Sequence, residues 1–399
     1  MAQEIENGDS SLLSRIPWKK SLVLFFIGLG LLFLYVAFAN FTQVIQILSA
    51  TDPTLFGLAV FSIILGSLFY TIAWQKLLKL TGLPTSFLRT MYYTYIGLFF
   101  DLVISIGGTT GIAVRAYLLR DEHKTFKETD IWGRALTSQT AMKICVTTWV
   151  VITGVLSFIY LLLQFSLPRY TTITIFFFMV VSTMTIIVLI WVSVHPGAPT
   201  HLAHGILNIV ERVFPFTKQR IENFRPKAEE NARIFNKGMR VLIRQKKALL
   251  FSLTFSFLYY LSFIVAAWLS FVALGLQQPV LVVCAIATVA LIIEFLGLGL
   301  PGGLGVKEIV TAELFVAVIG GSSLNLSGIA PKAAAAAASI MVNILMFWVP
   351  LVLSSLFAFK AIPLLRKAMQ SMDEMAKQDP SPPPADDPGQ ISTEVDGFP

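Results

Sequence analysis

Two apolar stretches of this chain carry an acid, a glycine cluster and a base in the same order. In the first, Asp101 is followed by Gly107-Gly108 and Gly111, then by Arg115. In the second, Glu294 is followed by Pro301-Gly302-Gly303 and Gly305, then by Lys307-Glu308. An ionisable side chain at membrane depth is costly unless it is paired or faces water, so such residues default to a functional reading. Two readings of the acids stand side by side. They take part in binding, or Asp101–Arg115 and Glu294–Lys307 pair only to hold each stretch shut. Arg115 and Lys307 read as binding residues, because each follows a glycine turn that can open a helix. Backbone N–H groups at a helix start, with a cation beside them, make an anion site suited to a phosphate. Arg134 and Lys143, nine residues apart where the fourth apolar segment begins, with Lys143 well inside it, extend this as a candidate cationic track for a headgroup. Snorkelling to the interface accounts for Arg134 better than for Lys143.

Other chemistries find little support. His195, His201 and His204, with Glu211, sit around Pro196 and Pro199, and no cysteine or paired carboxylate completes a metal-ligand set. No metal site and no cofactor are expected. The chain has no Walker loop, no H-E-x-x-H and no G-x-S-x-G nucleophile elbow. Gly302–Lys307 lacks the spacing of a phosphate loop and the Ser/Thr that follows its lysine. No nucleophile and base stand together, so an enzyme is not expected.

The elements that must position these residues are membrane helices. Of 399 residues, 55% are hydrophobic and only 13% charged, too few to cover a water-soluble surface. Mean hydropathy is +0.74. Apolar blocks such as Ser21–Ala39, Leu55–Trp74, Val146–Leu163 and Thr171–Val194 approach the roughly 20 residues that cross a bilayer as helix. Helix is the expected solution, because lipid leaves no backbone group a partner outside its own segment. Six spans are read, at about 19–40, 54–75, 134–163, 171–194, 248–274 and 331–358. Cys145 and Cys284 fall inside apolar segments and read as small buried hydrophobes. Ala37-Phe38-Ala39 resembles a signal cleavage site, but the apolar run before it favours an uncleaved first helix.

The net charge of +7 is concentrated at Arg15–Lys20, Lys76–Arg89, Arg115–Arg134, Arg212–Lys247 and Lys360–Lys377. These clusters read as cytoplasmic loops near anionic headgroups, and no nucleic-acid-binding fold accompanies them. The stretch 87–119 has basic flanks on both sides, which a single span cannot place in one compartment. A re-entrant hairpin turning at Gly107-Gly108 can, since glycine tolerates the turn. The stretch 280–320 has flanks without Lys or Arg, so its hairpin enters from the opposite face. The expected fold is an all-α polytopic membrane protein with about six spanning helices and two re-entrant hairpins, an inverted-topology repeat. Its parts are a cytoplasmic tail (1–18), a first membrane half (19–194), a basic linker (195–247), a second half (248–358) and a basic, then disordered cytoplasmic tail (359–399). In the linker, Phe214, Phe216, Phe224, Ile234 and Phe235 interleave with charges. That pattern suits a helix on the headgroups or a solvated helix with a few core contacts.

At the two hairpins the sequence resembles a known family. Gly111–Arg120 (GIAVRAYLLR), with Arg134-Ala135-Leu136, is similar to the first signature of the lysylphosphatidylglycerol synthase transmembrane-region, or flippase-like, proteins. Leu300–Glu308 (LPGGLGVKE) resembles the second signature, and Phe347–Leu353 (FWVPLVL) the closing helix. The resemblance covers about residues 20–360. It implies movement of lipids between leaflets, and it carries over to Arg115, Gly302, Gly303, Gly305, Lys307 and Glu308. Where many members have Glu-Arg followed by Asp, this chain has Met142-Lys143 and Val146. The usual Gly-Asp of the first motif is replaced at Thr110-Gly111-Ile112. The resemblance therefore implies a stand-alone member whose lipid can differ from that of the fused synthases. The expectation is a flippase of the inner membrane, both termini cytoplasmic, with a phosphate-bearing lipid as substrate. The alternative is a non-transporting membrane partner of a lipid-linked glycosyltransferase or lipid synthase.

Overall fold

The computed structural model describes residues 18–103, 110–123, 128–195, 197–213, 218–296, 301–320 and 330–361. Gly107 and Gly108, Phe214 and Phe216, Ser322–Ser327 and both tails lie outside these residues. Every regular element among the described residues is helical. In chain order they are α1 (Trp18–Phe38), α2 (Phe41–Ser49), α3 (Pro53–Leu80), α4 (Phe87–Val103), α5 (Thr110–Glu122), α6 (Glu128–Gln164) and α7 (Arg169–Val194). Then come α8 (Ala198–Val213), α9 (Lys218–Arg244), α10 (Lys246–Ala273), α11 (Val280–Leu296), a short turn (Pro301–Gly303), α12 (Val306–Gly320) and α13 (Pro331–Ala361).

Among the described residues, five stretches of helix are long and apolar enough to cross a membrane: α3, Asp130–Gln164 of α6, α7, α10 and α13. Their outward faces carry large apolar side chains such as Phe61, Leu156, Phe176, Phe177, Leu250 and Leu356, each more than half exposed. Such a surface suits lipid. The first expected span, read at about 19–40, ends in a bend. It runs as α1 to Phe38, and then the chain bends by 98° into α2. Asn40 makes the bend: it takes φ 72°, a conformation asparagine tolerates, and its side chain accepts from the Gln43 N–H to cap α2.

α3 and α10 form the most extensive helix pair. Ser62 donates to the Ser262 carbonyl at 2.9 Å, Tyr70 meets Tyr259 edge-on at 5.3 Å, and Ser252 donates to the Ala73 carbonyl at 3.3 Å. Residue numbers rise along one helix as they fall along the other, so the two are antiparallel. Small residues let the backbones approach, which matters in lipid because association there depends on close packing. The same logic governs α13, where Ala333–Ala338 are all buried and Ser339 bonds the Thr311 hydroxyl of α12 at 2.7 Å.

Each of α3 and α10 is followed by a pair of shorter helices. α4 and α5 have 17 and 13 residues; α11 and α12 have 17 and 15. At 1.5 Å per residue none spans the roughly 30 Å hydrocarbon core. The start of α4 is tied to the end of α5: Arg89 pairs with Glu122 at 2.7 Å, and Tyr93 donates to the same carboxylate at 3.1 Å.

The linker helix α9 has an apolar face, but protein covers it. Ala232, Phe235, Met239 and Leu242 are buried, Gly133 of α6 abuts Ile234, and Thr137 approaches the Phe235 carbonyl. Residues 232–242 of this linker make core contacts. His204 is held by Glu229 at 2.6 Å, a contact between α8 and α9.

Candidate functional site

A cavity of about 200 Å³ lies where α3, α4, α5, α6, α10, α11, the glycine turn and α13 meet. Its walls are mostly apolar, with Ile63, Leu98, Leu291, Met346 and Pro350 among them. Set into them are Asp101 from α4, Arg115 from α5, Gln139 and Lys143 from α6, and Glu294 from α11. Tyr70, Tyr95, Tyr259 and Tyr260 contribute further polar edges. A few convergent polar groups in an apolar hollow are the usual make-up of a binding site.

Arg115 is the most elaborated member. Its Nη2 lies 3.4 Å from Asp101 Oδ2 and 3.4 Å from the Thr94 carbonyl, and its Nη1 donates to Gln139 Oε1 at 3.3 Å. Its guanidinium carbon sits 5.8 Å from the centre of the Trp74 ring, within cation–π range. Gly97 forms the floor beneath it: a Cβ there would come within 2.2 Å of Arg115 Nε. The residue is 5% exposed, so the partners that hold it must also compensate its charge.

Asp101 does two jobs. One oxygen faces Arg115, and the other accepts the Gly111 N–H at 2.7 Å, at the start of α5. In the second pair these jobs are divided. Glu294 faces Lys307 at 3.5 Å, while Glu308 accepts the Gly305 N–H at 2.6 Å. Glu308 is the third residue of α12 and reaches back to the residue before it, half of a capping box. Both helix starts that the sequence offers to a phosphate thus already hold one of the protein's own carboxylates. Losing such a cap costs about 1 kcal/mol. Glu308→Ala protein should therefore unfold a few degrees lower in detergent, read by intrinsic fluorescence.

The expected residues divide accordingly. Asp101, Arg115, Lys143, Glu294 and Gly302 line the cavity. Lys307 does not; it is 2% exposed and stands behind Glu294. Glu308 is likewise buried away from the cavity wall. Arg134 is elsewhere, donating to the Thr81 carbonyl at 3.0 Å and bracing the loop between α3 and α4. Gly111 closes on Asp101, where a Cβ would meet the carboxylate. In the second turn Gly302, Gly303 and Gly305 all take positive φ, at 58°, 69° and 83°, and Pro301 is buried with them.

Sequence reasoning missed Gln139, Trp74, Thr94 and Gly97. Gln139 had a legible signal, since it lies four residues before Lys143 and so shares its helical face. Gly97 had none, because its role depends on a guanidinium brought from another helix.

The fold and its buried charges define a multi-pass α-helical membrane protein. Residues 21–354 match the family described as the lysylphosphatidylglycerol synthase TM region, and the chain belongs to that family. It is similar to the UPF0104 membrane protein PH1989 of Pyrococcus horikoshii, 21% identical over 350 residues, which are 87% of this chain and 98% of that protein. A UPF0104 membrane protein of Methanothermobacter thermautotrophicus is 22% identical over 329 residues, 82% of this chain and 92% of its own length.

Proposed function

We propose that this protein moves a phosphate-bearing lipid between membrane leaflets, with the headgroup in the central cavity and the acyl chains in the bilayer. The observation that carries this reading is one hollow lined by ionisable side chains from both broken helix pairs, Asp101 and Arg115 from the first and Glu294, backed by Lys307, from the second. Arg115 and Lys143 hold the phosphate. Asp101 and Glu294 balance the cations while the site is empty, because ions without compensation in this setting cost several kcal/mol each.

The reading includes an inverted repeat. α3 leads into α4 and α5 as α10 leads into α11 and α12, and α3 packs antiparallel to α10. Two equivalent units related in that way enter the membrane from opposite faces and share a site at the middle. The short paired helices then serve as re-entrant hairpins, the first opening toward the cytoplasm. Without a nucleotide-binding motif in the sequence, movement follows a gradient, is energy-independent or draws on a partner that supplies energy.

The alternative, a membrane partner of a lipid synthase or glycosyltransferase, rests on the basic face of α9. Arg233, Lys237, Arg240 and Arg244 are exposed there, opposite the buried apolar face. Reconstitution separates the two. In vesicles containing fluorescent phosphatidylglycerol, purified protein should expose inner-leaflet label to an external quencher faster than protein-free vesicles do. Equal rates under every imposed gradient would sink the transport reading.

A further inference from the structure

The polar groups of the cavity are not all satisfied by the protein. Buried donors without an acceptor cost free energy, so orphans concentrated at a site call for an explanation. Arg115 Nε and Gln139 Nε2 are both buried without a hydrogen-bond partner among the described residues, and both residues line the cavity. Gln139 is 4% exposed, so bulk water does not satisfy it.

The orientation of the Gln139 amide is decided by chemistry. An amide's oxygen and nitrogen are commonly ambiguous, but arginine only donates. The atom 3.3 Å from Arg115 Nη1 must therefore be the oxygen, which leaves the –NH2 as the unpaired end. Two residues that line one hollow thus each hold an unpaired, buried donor, and the Arg115–Gln139 bond fixes their relative position. Their complement is a ligand with several acceptor oxygens and no donors at that end.

We infer that Gln139 is a headgroup-binding residue whose amide N–H groups, together with Arg115 Nε, receive the oxygens of a phosphodiester. This rests on the lipid-transport reading and adds to it a neutral donor that selects for oxyanion geometry, where Lys143 supplies charge alone. A phosphodiester needs such donors because each of its non-bridging oxygens accepts more than one hydrogen bond. The same chemistry would receive a free phosphate, so the two sources must be told apart.

The test uses the full chain in detergent, with dioctanoyl-phosphatidylglycerol as one probe and inorganic phosphate as the other. Thermal stabilisation is measured against probe concentration. Wild-type protein should be stabilised by the short-chain lipid at concentrations at least tenfold below those at which phosphate acts. Gln139→Leu should require at least tenfold more lipid than wild type. Gln139→Glu keeps the acceptor for Arg115 but offers no donor when ionised. It should lose lipid stabilisation at pH 8 and regain part of it near pH 5, where a protonated carboxyl donates again. If leucine fails to fold, the glutamate variant carries the test alone. Lipid binding by the leucine variant at wild-type concentration, or by the glutamate variant equally at both pH values, would overturn the inference and leave the transport reading standing. Phosphate as effective as lipid, with the same dependence on Gln139, would uphold Gln139 and overturn the lipid assignment. A wild-type protein stabilised by neither probe would overturn both.

Discussion

Arg115→Ala protein in vesicles is expected to expose inner-leaflet phosphatidylglycerol no faster than protein-free vesicles do. The substitution removes the only cavity-wall guanidinium among the described residues, together with its contacts to Gln139, Thr94 and the Trp74 face. It also leaves Asp101 without the guanidinium 3.4 Å away, and breaking one side of a buried pair costs about 3–5 kcal/mol. Stability and activity should separate in the double variant Asp101→Asn/Arg115→Ala. Removing both charges should recover most of the thermal stability lost in Arg115→Ala, since Asp101 is no longer left as a carboxylate without its guanidinium. Asparagine still offers an oxygen to the Gly111 N–H. Transport should stay absent, because the phosphate-holding cation is gone. A double variant that regains transport along with stability would make the Asp101–Arg115 pair a structural clasp and nothing more.

Gly302→Ala is expected to produce the second large effect, on folding. Gly302 has φ 58° and ψ 16°, a left-handed conformation that costs an L-residue about 1–2 kcal/mol. A Cβ there would also lie 2.2 Å from Phe347 Cδ2, on a helix that contributes one wall of the cavity. Phe347 belongs to a π-helical turn, Ile344–Trp348, a local widening of α13 of the kind that gathers at functional sites. Forcing a methyl into that contact adds about 1–3 kcal/mol of overpacking. The variant should express poorly and unfold well below wild type in detergent. Gly302→Ala/Phe347→Leu should recover the packing part of the loss and leave the backbone part. A single variant with unchanged melting would mean that the turn is not held as the structure has it.

Much of this architecture was legible in the sequence, because lipid leaves few choices. Apolar runs near 20 residues had to be helices, and five of the six expected spans appear, among the described residues, as single helices long and apolar enough to cross a membrane. The pairing of acid with base was also legible: Asp101 with Arg115 and Glu294 with Lys307 follow from the cost of lone charge at depth. The bend at Asn40 was not, since residue order does not set the 98° angle between the run that ends near residue 40 and the helix Phe41–Ser49. Nor was the fate of the helix starts. The sequence presents free N–H groups after each glycine turn, and only the fold brings Asp101 and Glu308 back onto them. Lys307 reads as a cavity residue by analogy with Arg115, yet Glu294 stands in front of it. Which member of a buried ion pair faces the hollow depends on side-chain reach across a helix gap, and residue order does not encode that.

The proposed transport requires two short helix pairs that enter the membrane from opposite sides and contribute charge to one hollow. Cysteine labelling with a membrane-impermeant maleimide tests this most directly, in a background where Cys145 and Cys284 are replaced by alanine. Lys79→Cys and Arg120→Cys, before and after the first pair, should label only from the cytoplasmic side. Gln277→Cys and Lys332→Cys, before and after the second, should label only from the other. Labelling of Arg120→Cys and Lys332→Cys from the same side would contradict the inverted arrangement, and with it the shared site.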